Sequence, residues 1–177
     1  MSLPAGSALP DAVLPRLDPH VFADIYAHAR STYPEECCGF LIGPHDSTAL
    51  DEVRRCENQQ NRYHAVDPER FPRTAREAYY LGGKDLRFLL ESLATPRPVK
   101  VIYHSHPDVG AYFSAEDTRA ALGREPDETA EPLYPVDHIV IDAQADHVAE
   151  AKLFRWDPTQ RTFVHLDTYT GEQPPES

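Results

Sequence analysis

The chain has 177 residues, 41% of them hydrophobic, which is enough for one buried core and too few for two. Its 29 acidic against 17 basic residues leave a formal charge of -12, a field that repels nucleic-acid phosphates and anionic membrane surfaces, so neither is an expected partner. No stretch approaches the roughly 20 apolar residues that span a bilayer, and three cysteines, two of them adjacent as Cys37 and Cys38, make a poor disulfide framework.

Residues 1–16 are rich in Pro, Ala and Ser without an apolar period and read as a flexible arm. They carry neither the basic start nor the unbroken apolar segment of an export signal, so the expected compartment is the reducing cytoplasm. Asp18 before Pro19 is a helix-start signal, and Val21, Phe22, Ile25 and Ala29 then predict a helix over Pro19–Arg30, ended by Pro34. Cys37–Gly43 is an apolar run that predicts a buried strand, joined by a turn near Pro44 and Asp46 to a second strand over Leu50–Cys56. Arg62–Asp67 reads as another extended piece. Pro68–Ala94 carries Phe71, Ala75, Ala78, Tyr79, Leu86, Leu89, Leu90 and Leu93 at helical intervals, divided into two helices by Gly82 and Gly83.

Pro98–His104 predicts a strand, and Ser114 opens a helix with a Ser-x-x-Asp start that ends at Gly123. A polar, acidic loop follows over 124–135. Val136–Asp142, Val148–Trp156 and Thr162–Leu166 then read as strands joined by turns, and 168–177 as a flexible tail. The result is one domain over 17–167, whose early helices, central strand and late antiparallel meander indicate an α+β fold.

His104 and His106 stand two apart at the end of a predicted strand, so both imidazoles project to one side of the chain. Asp117, one turn inside the next helix, brings the count of potential metal ligands to three. Three protein ligands suit catalytic zinc, one ion per chain, which keeps a fourth position for water, whereas structural zinc closes with four. A general base is then required, and Glu36, at the mouth of the apolar strand, is the candidate; Ser114 is placed to donate a hydrogen bond to a carbonyl oxygen as it gains charge. Tyr112 and Phe113 are candidates for the lining of a narrow apolar slot. Cys38 reads as a small buried hydrophobe, and His20, His28, His45, His64, His138, His147 and His165 as surface or packing residues.

His104-Ser105-His106, seven residues, then Ser114-Ala115-Glu116-Asp117 resembles, position by position, the motif of the JAMM or MPN-plus metalloproteases. The segment Pro34-Glu35-Glu36-Cys37-Cys38-Gly39-Phe40 is similar to that family's Glu-bearing strand, in which the Glu lies two before a Cys-Gly pair, selecting Glu36 over Glu35. The resemblance covers roughly residues 18 to 157. It implies a mixed, largely antiparallel curved sheet flanked by helices, in a layout similar to cytidine deaminases. It also implies zinc on His104, His106 and Asp117, Glu36 as acid and base, and Ser114 near the oxyanion. The substrates implied end in a flexible diglycine, and a short stand-alone chain looks like the prokaryotic members that act on ubiquitin-like sulfur carriers. A non-catalytic scaffold and a metallohydrolase of another peptide are the competing readings.

Overall fold

Cys37–Gly43 contains no polar side chain, so a strand made from it needs cover on both faces and neighbours on both edges. The computed structural model, which describes residues 12–176, places it accordingly. In chain order the elements are β1 (Arg16–Leu17), α1 (Pro19–Thr32), β2 (Cys38–Ile42), β3 (Ala49–Leu50), β4 (Glu52–Cys56), α2 (Gln60–Val66), α3 (Gly83–Ser92), β5 (Val99–Pro107), α4 (Ala115–Leu122), β6 (Asp137–Ala143), β7 (Val148–Asp157) and β8 (Thr162–Thr170). Every residue of β2 is buried, and it lies inside a six-stranded sheet of order β4-β2-β5-β6-β7-β8. All neighbours in that sheet are antiparallel except β5 and β6, and the crossover between those two carries α4. The fold is α+β, with a mixed, largely antiparallel sheet flanked by helices.

Period-two alternation divides the sheet into two faces. On one, Leu41, Val101, Tyr103, Ile139, Ile141 and Leu153 pack against Val21, Ile25 and Ala29, which recur every fourth residue along one side of α1. On the other, Cys38, Phe40, Ile42 and Ile102 meet Leu89 of α3, and further along the sheet Val140 and Phe154 meet Ala111 and Phe113. Strand β5 contributes to both faces, so its two histidines share the α3 side with Ile102.

The expected elements hold for α1, β2, α4 and the three late strands, with differences of physical interest. The strand expected over Leu50–Cys56 breaks at Asp51, whose N–H bonds Ile42 O at 3.1 Å, because Ala49–Leu50 pairs in parallel with β1 in a separate two-stranded sheet. The extended piece expected at Arg62–Asp67 is instead the helix α2: Tyr63 on that helix packs its ring at a tilt against Phe71 and Tyr80, a tertiary contact that outweighs local preference. Of the two helices expected over 68–94, only α3 forms. Pro68 and Pro72 interrupt the first, and its aromatic residues pack on Tyr63 in an irregular segment.

The strand expected to stop at His104 continues to Pro107, since Ser105, His106 and Pro107 pair with Ile141, Asp142 and Ala143 of β6. The boundaries drawn at 16/17 and 167/168 fall inside β1 and β8. Beyond β8, the Glu172 N–H bonds Val148 O at 2.8 Å, and its carboxylate pairs with Arg30, so the tail that was expected to be flexible from 168 is tied to β7 and α1. Residues 1–11 of the expected N-terminal arm lie outside the described residues. Asp18 occupies the N-cap of α1 but makes no side-chain cap; its carbonyl accepts the Val21 N–H at 2.9 Å.

Gly39 is a point of close approach on the α1 face. A Cβ there would lie 2.4 Å from Tyr103 Oη, and that hydroxyl is held by His28 Nδ1 at 2.7 Å, so it has nowhere to move. Gly39→Ala is expected to lower stability by about 2–3 kcal/mol through overpacking. Urea unfolding measures it, and an unchanged midpoint would show that the Tyr103 ring yields freely.

Candidate metal centre

The pairing of β2 with β5 sets Cys38 opposite His104. It extends one step past the end of β2, where the Ser105 N–H bonds Cys37 O at 3.1 Å and the Cys37 N–H bonds Ser105 Oγ at 2.8 Å. The same antiparallel register brings Glu36 to His106: Glu36 Oε1 is 4.0 Å from His106 Nε2. Backbone bonds hold Glu36 in that position. Its N–H donates to Ala75 O at 2.7 Å, and its carbonyl accepts from Asn58 Nδ2 at 3.0 Å. Asn58 also donates to Ala78 O and accepts from the N–H groups of Gln60 and Tyr80, so one amide ties Glu36 to the segment between α2 and α3. Glu36 is buried, whereas Glu35 is exposed and accepts from Asn61, which separates the two adjacent acids.

Asp117 arrives from α4 through a capping box. Ser114 Oγ accepts the Asp117 N–H at 3.0 Å, Asp117 Oδ2 accepts the Ser114 N–H at 2.9 Å, and Gly123 closes the helix in the left-handed conformation at φ 69°. Asp117 Oδ1 lies 3.2 Å from His104 Nε2, Asp117 Oδ2 3.3 Å from His106 Nε2, and the two Nε2 atoms are 3.1 Å apart. Tetrahedral zinc with ligand bonds near 2.0–2.1 Å holds its donors about 3.3 Å apart, and each of these separations, the two to Asp117 being made by different carboxylate oxygens, is close to that spacing. His106 Nδ1 lies 3.1 Å from Gly110 O, a bond in which the ring donates and which leaves Nε2 as a lone pair. With the His106 proton on Nδ1, its Nε2 lone pair faces the Asp117 carboxylate, an arrangement that a cation between them would stabilise. The residues present fit a zinc ion.

The electrostatics agree with this placement. Burial works to raise the Asp117 carboxyl, but the adjacent His104 and His106 outweigh it and hold it far below the usual carboxylate range. Burial also lowers His104, which favours the neutral ring that ligates metal. Burial pushes Glu36 up to about 9, with Asp117 adding to the effect, Arg73 opposing it and Glu77 adding again. Glu36 Oε2 has no hydrogen-bond partner among the described residues.

His104, His106, Asp117 and Glu36 therefore converge, with Ser114 one hydrogen bond from the Asp117 carboxylate. Tyr112 and Phe113 part company: Tyr112 is half exposed with its ring edge-on to His106 at 5.0 Å, while Phe113 turns into a cluster with His138, Phe154 and Phe163. Three contributors escaped the sequence reading. Asn58 positions Glu36, Tyr79 stacks on His104 at 4.6 Å, and His138 stands buried on β6, one strand from His104. Only His138 had a local signal, namely its alternation with Val140 on one face of a strand.

A family model for prokaryotic homologs of the JAB domain matches residues 18–157. Among solved structures, a protein from Desulfitobacterium hafniense is similar at 21% identity and a TM-score of 0.57, covering 84% of this chain and 87% of that one. A protein from Salinibacter ruber is similar at 20% identity and a TM-score of 0.55, covering 91% and 95%. A JAB1/MPN domain protein from Archaeoglobus fulgidus aligns at 17% identity and a TM-score of 0.40, covering 74% and 81%. No curated protein matches the chain.

Glu36 gives the metal-free chain a characteristic pH dependence. Between about 4.5 and about 9 the folded state keeps a proton that the unfolded state has lost, so stability from this group is full below 4.5 and declines as pH rises. With zinc stripped, Glu36→Gln is expected to be more stable than the parent at pH 8 by at least about 1 kcal/mol, with the gap closing near pH 4. Denaturant unfolding at both values in a chelator reads this; a gap that widens in acid would reverse the assignment.

Proposed function

The chain belongs to the prokaryotic homologs of the JAB domain, and from that membership we propose that it is a zinc-dependent peptidase or isopeptidase cleaving at or after the C-terminal diglycine of a ubiquitin-like, sulfur-carrier protein. One observation carries the reading: the Nε2 atoms of His104 and His106 lie 3.1 Å apart, Asp117 sets Oδ1 3.2 Å from the first and Oδ2 3.3 Å from the second, and the buried Glu36 reaches to 4.0 Å from His106. A family member serving only as a scaffold has no need of such a set, and each of these buried groups costs stability unless it is paired.

Zinc held by three protein ligands lowers the pKa of water to about 7 and polarises a carbonyl. The chain's own residues do the rest. Glu36 removes the proton from the attacking water and returns it to the departing amine nitrogen; its Oε2, without a hydrogen-bond partner among the described residues, is free to take that proton. Ser114 uses a lone pair to accept the Asp117 N–H, which leaves its hydroxyl proton free to bond a carbonyl oxygen as charge develops there. Tyr112 walls the approach beside His106, and a diglycine, having no side chains, passes such a wall where bulkier residues meet it.

A carrier extended past its diglycine is the substrate that tests this. The zinc-loaded chain is expected to contain about one zinc and to release the extension, and Glu36→Gln is expected to retain the metal while turnover falls at least about 100-fold. His104→Ala is expected to lose the zinc. A folded chain with well under one zinc would favour the scaffold reading, and undiminished turnover in Glu36→Gln would remove it from the proposed role.

A further inference from the structure

Charge is unevenly placed along this chain. Residues 54–87 hold eight of the 17 basic residues against five of the 29 acidic ones, so a net positive segment sits in a molecule of formal charge -12. Ion pairing sharpens the contrast. Outside that segment, every basic side chain among the described residues is paired with a carboxylate except Arg16 and Lys100, and the Lys100 ammonium donates to Pro44 O at 3.0 Å. Inside it, Arg54, Arg55 and Arg73 are paired, whereas Arg62, Arg70, Arg76, Lys84 and Arg87 are exposed and have no carboxylate partner among the described residues. With acids in excess over the whole chain, five such cations in one segment do not reflect a shortage of carboxylates.

Two helices gather part of this charge around a groove. A cavity of about 810 Å³ opens between β4, α2 and the start of α3, with Arg54, Arg55, Arg62 and Lys84 in its lining. Arg62 and Val66 stand one turn apart on α2, as Lys84 and Arg87 do on α3. Asp85 in this groove is taken by Arg54 at 3.2 Å, which leaves Glu57 as the unpaired acid of the lining. Val66 also lines the groove and is 81% exposed, so cations and an aliphatic side chain share one surface. A small anion such as phosphate makes no use of Val66, and a protein surface carrying carboxylates beside apolar side chains meets both. The same segment borders the metal centre: Arg70 and Arg73 line a second cavity, of about 790 Å³, that adjoins the centre at Asp117 and Tyr79 and is walled also by Leu81. Gln59 and Gly82 of the groove flank Asn58 and Leu81, which bridge each other, and Asn58 holds Glu36. A body seated in the groove therefore lies against the segment that positions Glu36.

We propose, building on the peptidase reading, that this groove docks an acidic face of the protein whose tail is cleaved, with Arg62, Lys84 and Arg87 meeting its carboxylates and Val66 an apolar side chain among them. The placement of charge makes the docking oriented. The rest of the chain, with nine basic residues against 24 acidic ones, repels an acidic partner, and this side attracts it.

The test uses the full chain in the presence of zinc, carrying Glu36→Gln so that the probe stays whole during titration. One probe is an acidic ubiquitin-fold domain extended past a diglycine; the other is the same domain with its exposed carboxylates changed to amides. Calorimetry at low salt is expected to show the acidic probe binding at least about tenfold more tightly, an advantage that shrinks as ionic strength rises. Arg62→Glu and Lys84→Glu are each expected to weaken the acidic probe at least about fivefold, whereas Arg16→Glu, an equal charge reversal at a residue that lines neither cavity, stays within about twofold. Equal binding of the two probes by the chain without these reversals would overturn the proposal, whether or not the variants fold. Equal losses in Arg62→Glu and Arg16→Glu would overturn it too, and so would displacement of the acidic probe by inorganic phosphate but not by chloride at matched ionic strength, which marks a small-anion site. Groove-dependent binding without cleavage by the parent chain would sink the peptidase reading and leave the docking surface standing. Cleavage of the acidic probe at a rate unchanged in Arg62→Glu and Lys84→Glu would do the reverse.

Discussion

The antiparallel register of β2 against β5 is the constraint on which the centre depends. Because Cys38 faces His104, the residue two earlier faces His106, and the Cys37–Ser105 bonds carry that register beyond the last regular pair. A slip of one residue would turn Glu36 to the α1 side and bring Cys37 to the metal side, inverting every other side chain of β2 with them. Burial on both faces of β2 makes such a slip costly, so the strand that reads as bland apolar filler is what fixes the distance from Glu36 to the two histidines.

Asp117 shows how one side chain serves stability and chemistry together. Its Oδ2 accepts the Ser114 N–H and also lies beside His106, while Oδ1 faces His104. The capping box that starts α4 thus fixes the carboxylate at the rotamer that reaches the histidines, and the left-handed Gly123 stops the helix after two turns. The aspartate's position is set at the helix start itself, so a helix as short as α4 can present it to the histidines.

Much of this was legible in the sequence because it depends on short-range periodicities. Two residues along β5 put His104 and His106 on one face, and three residues along α4 give the Ser114 and Asp117 cap. Glu36 was legible as a residue type at a strand mouth, and its selection over Glu35 rested on the Cys-Gly pair; the structure separates the two by burial. The segment from Arg62 to Leu81 was misread twice, as a strand and then as a helix. Its apolar residues do recur at helical spacing, but they pack around Tyr63 and against His104, contacts between residues distant in sequence that no local pattern encodes.

That misread segment is as much part of the centre as the motif. Asn58 binds Glu36 O with one amide proton and Ala78 O with the other, and its oxygen bonds the Tyr80 N–H. Ala75 O takes the Glu36 N–H, and Tyr79 stacks on the His104 ring whose Nδ1 has no bonding partner among the described residues. His104, His106 and Asp117 stand on regular elements, β5 and α4, whereas Glu36 is held by an irregular segment through backbone bonds. Such a division lets the His104, His106 and Asp117 cluster stay rigid while the part of the chain that surrounds Glu36, and walls the adjoining cavity through Tyr79 and Leu81, is free to differ in sequence as long as its carbonyls remain in place.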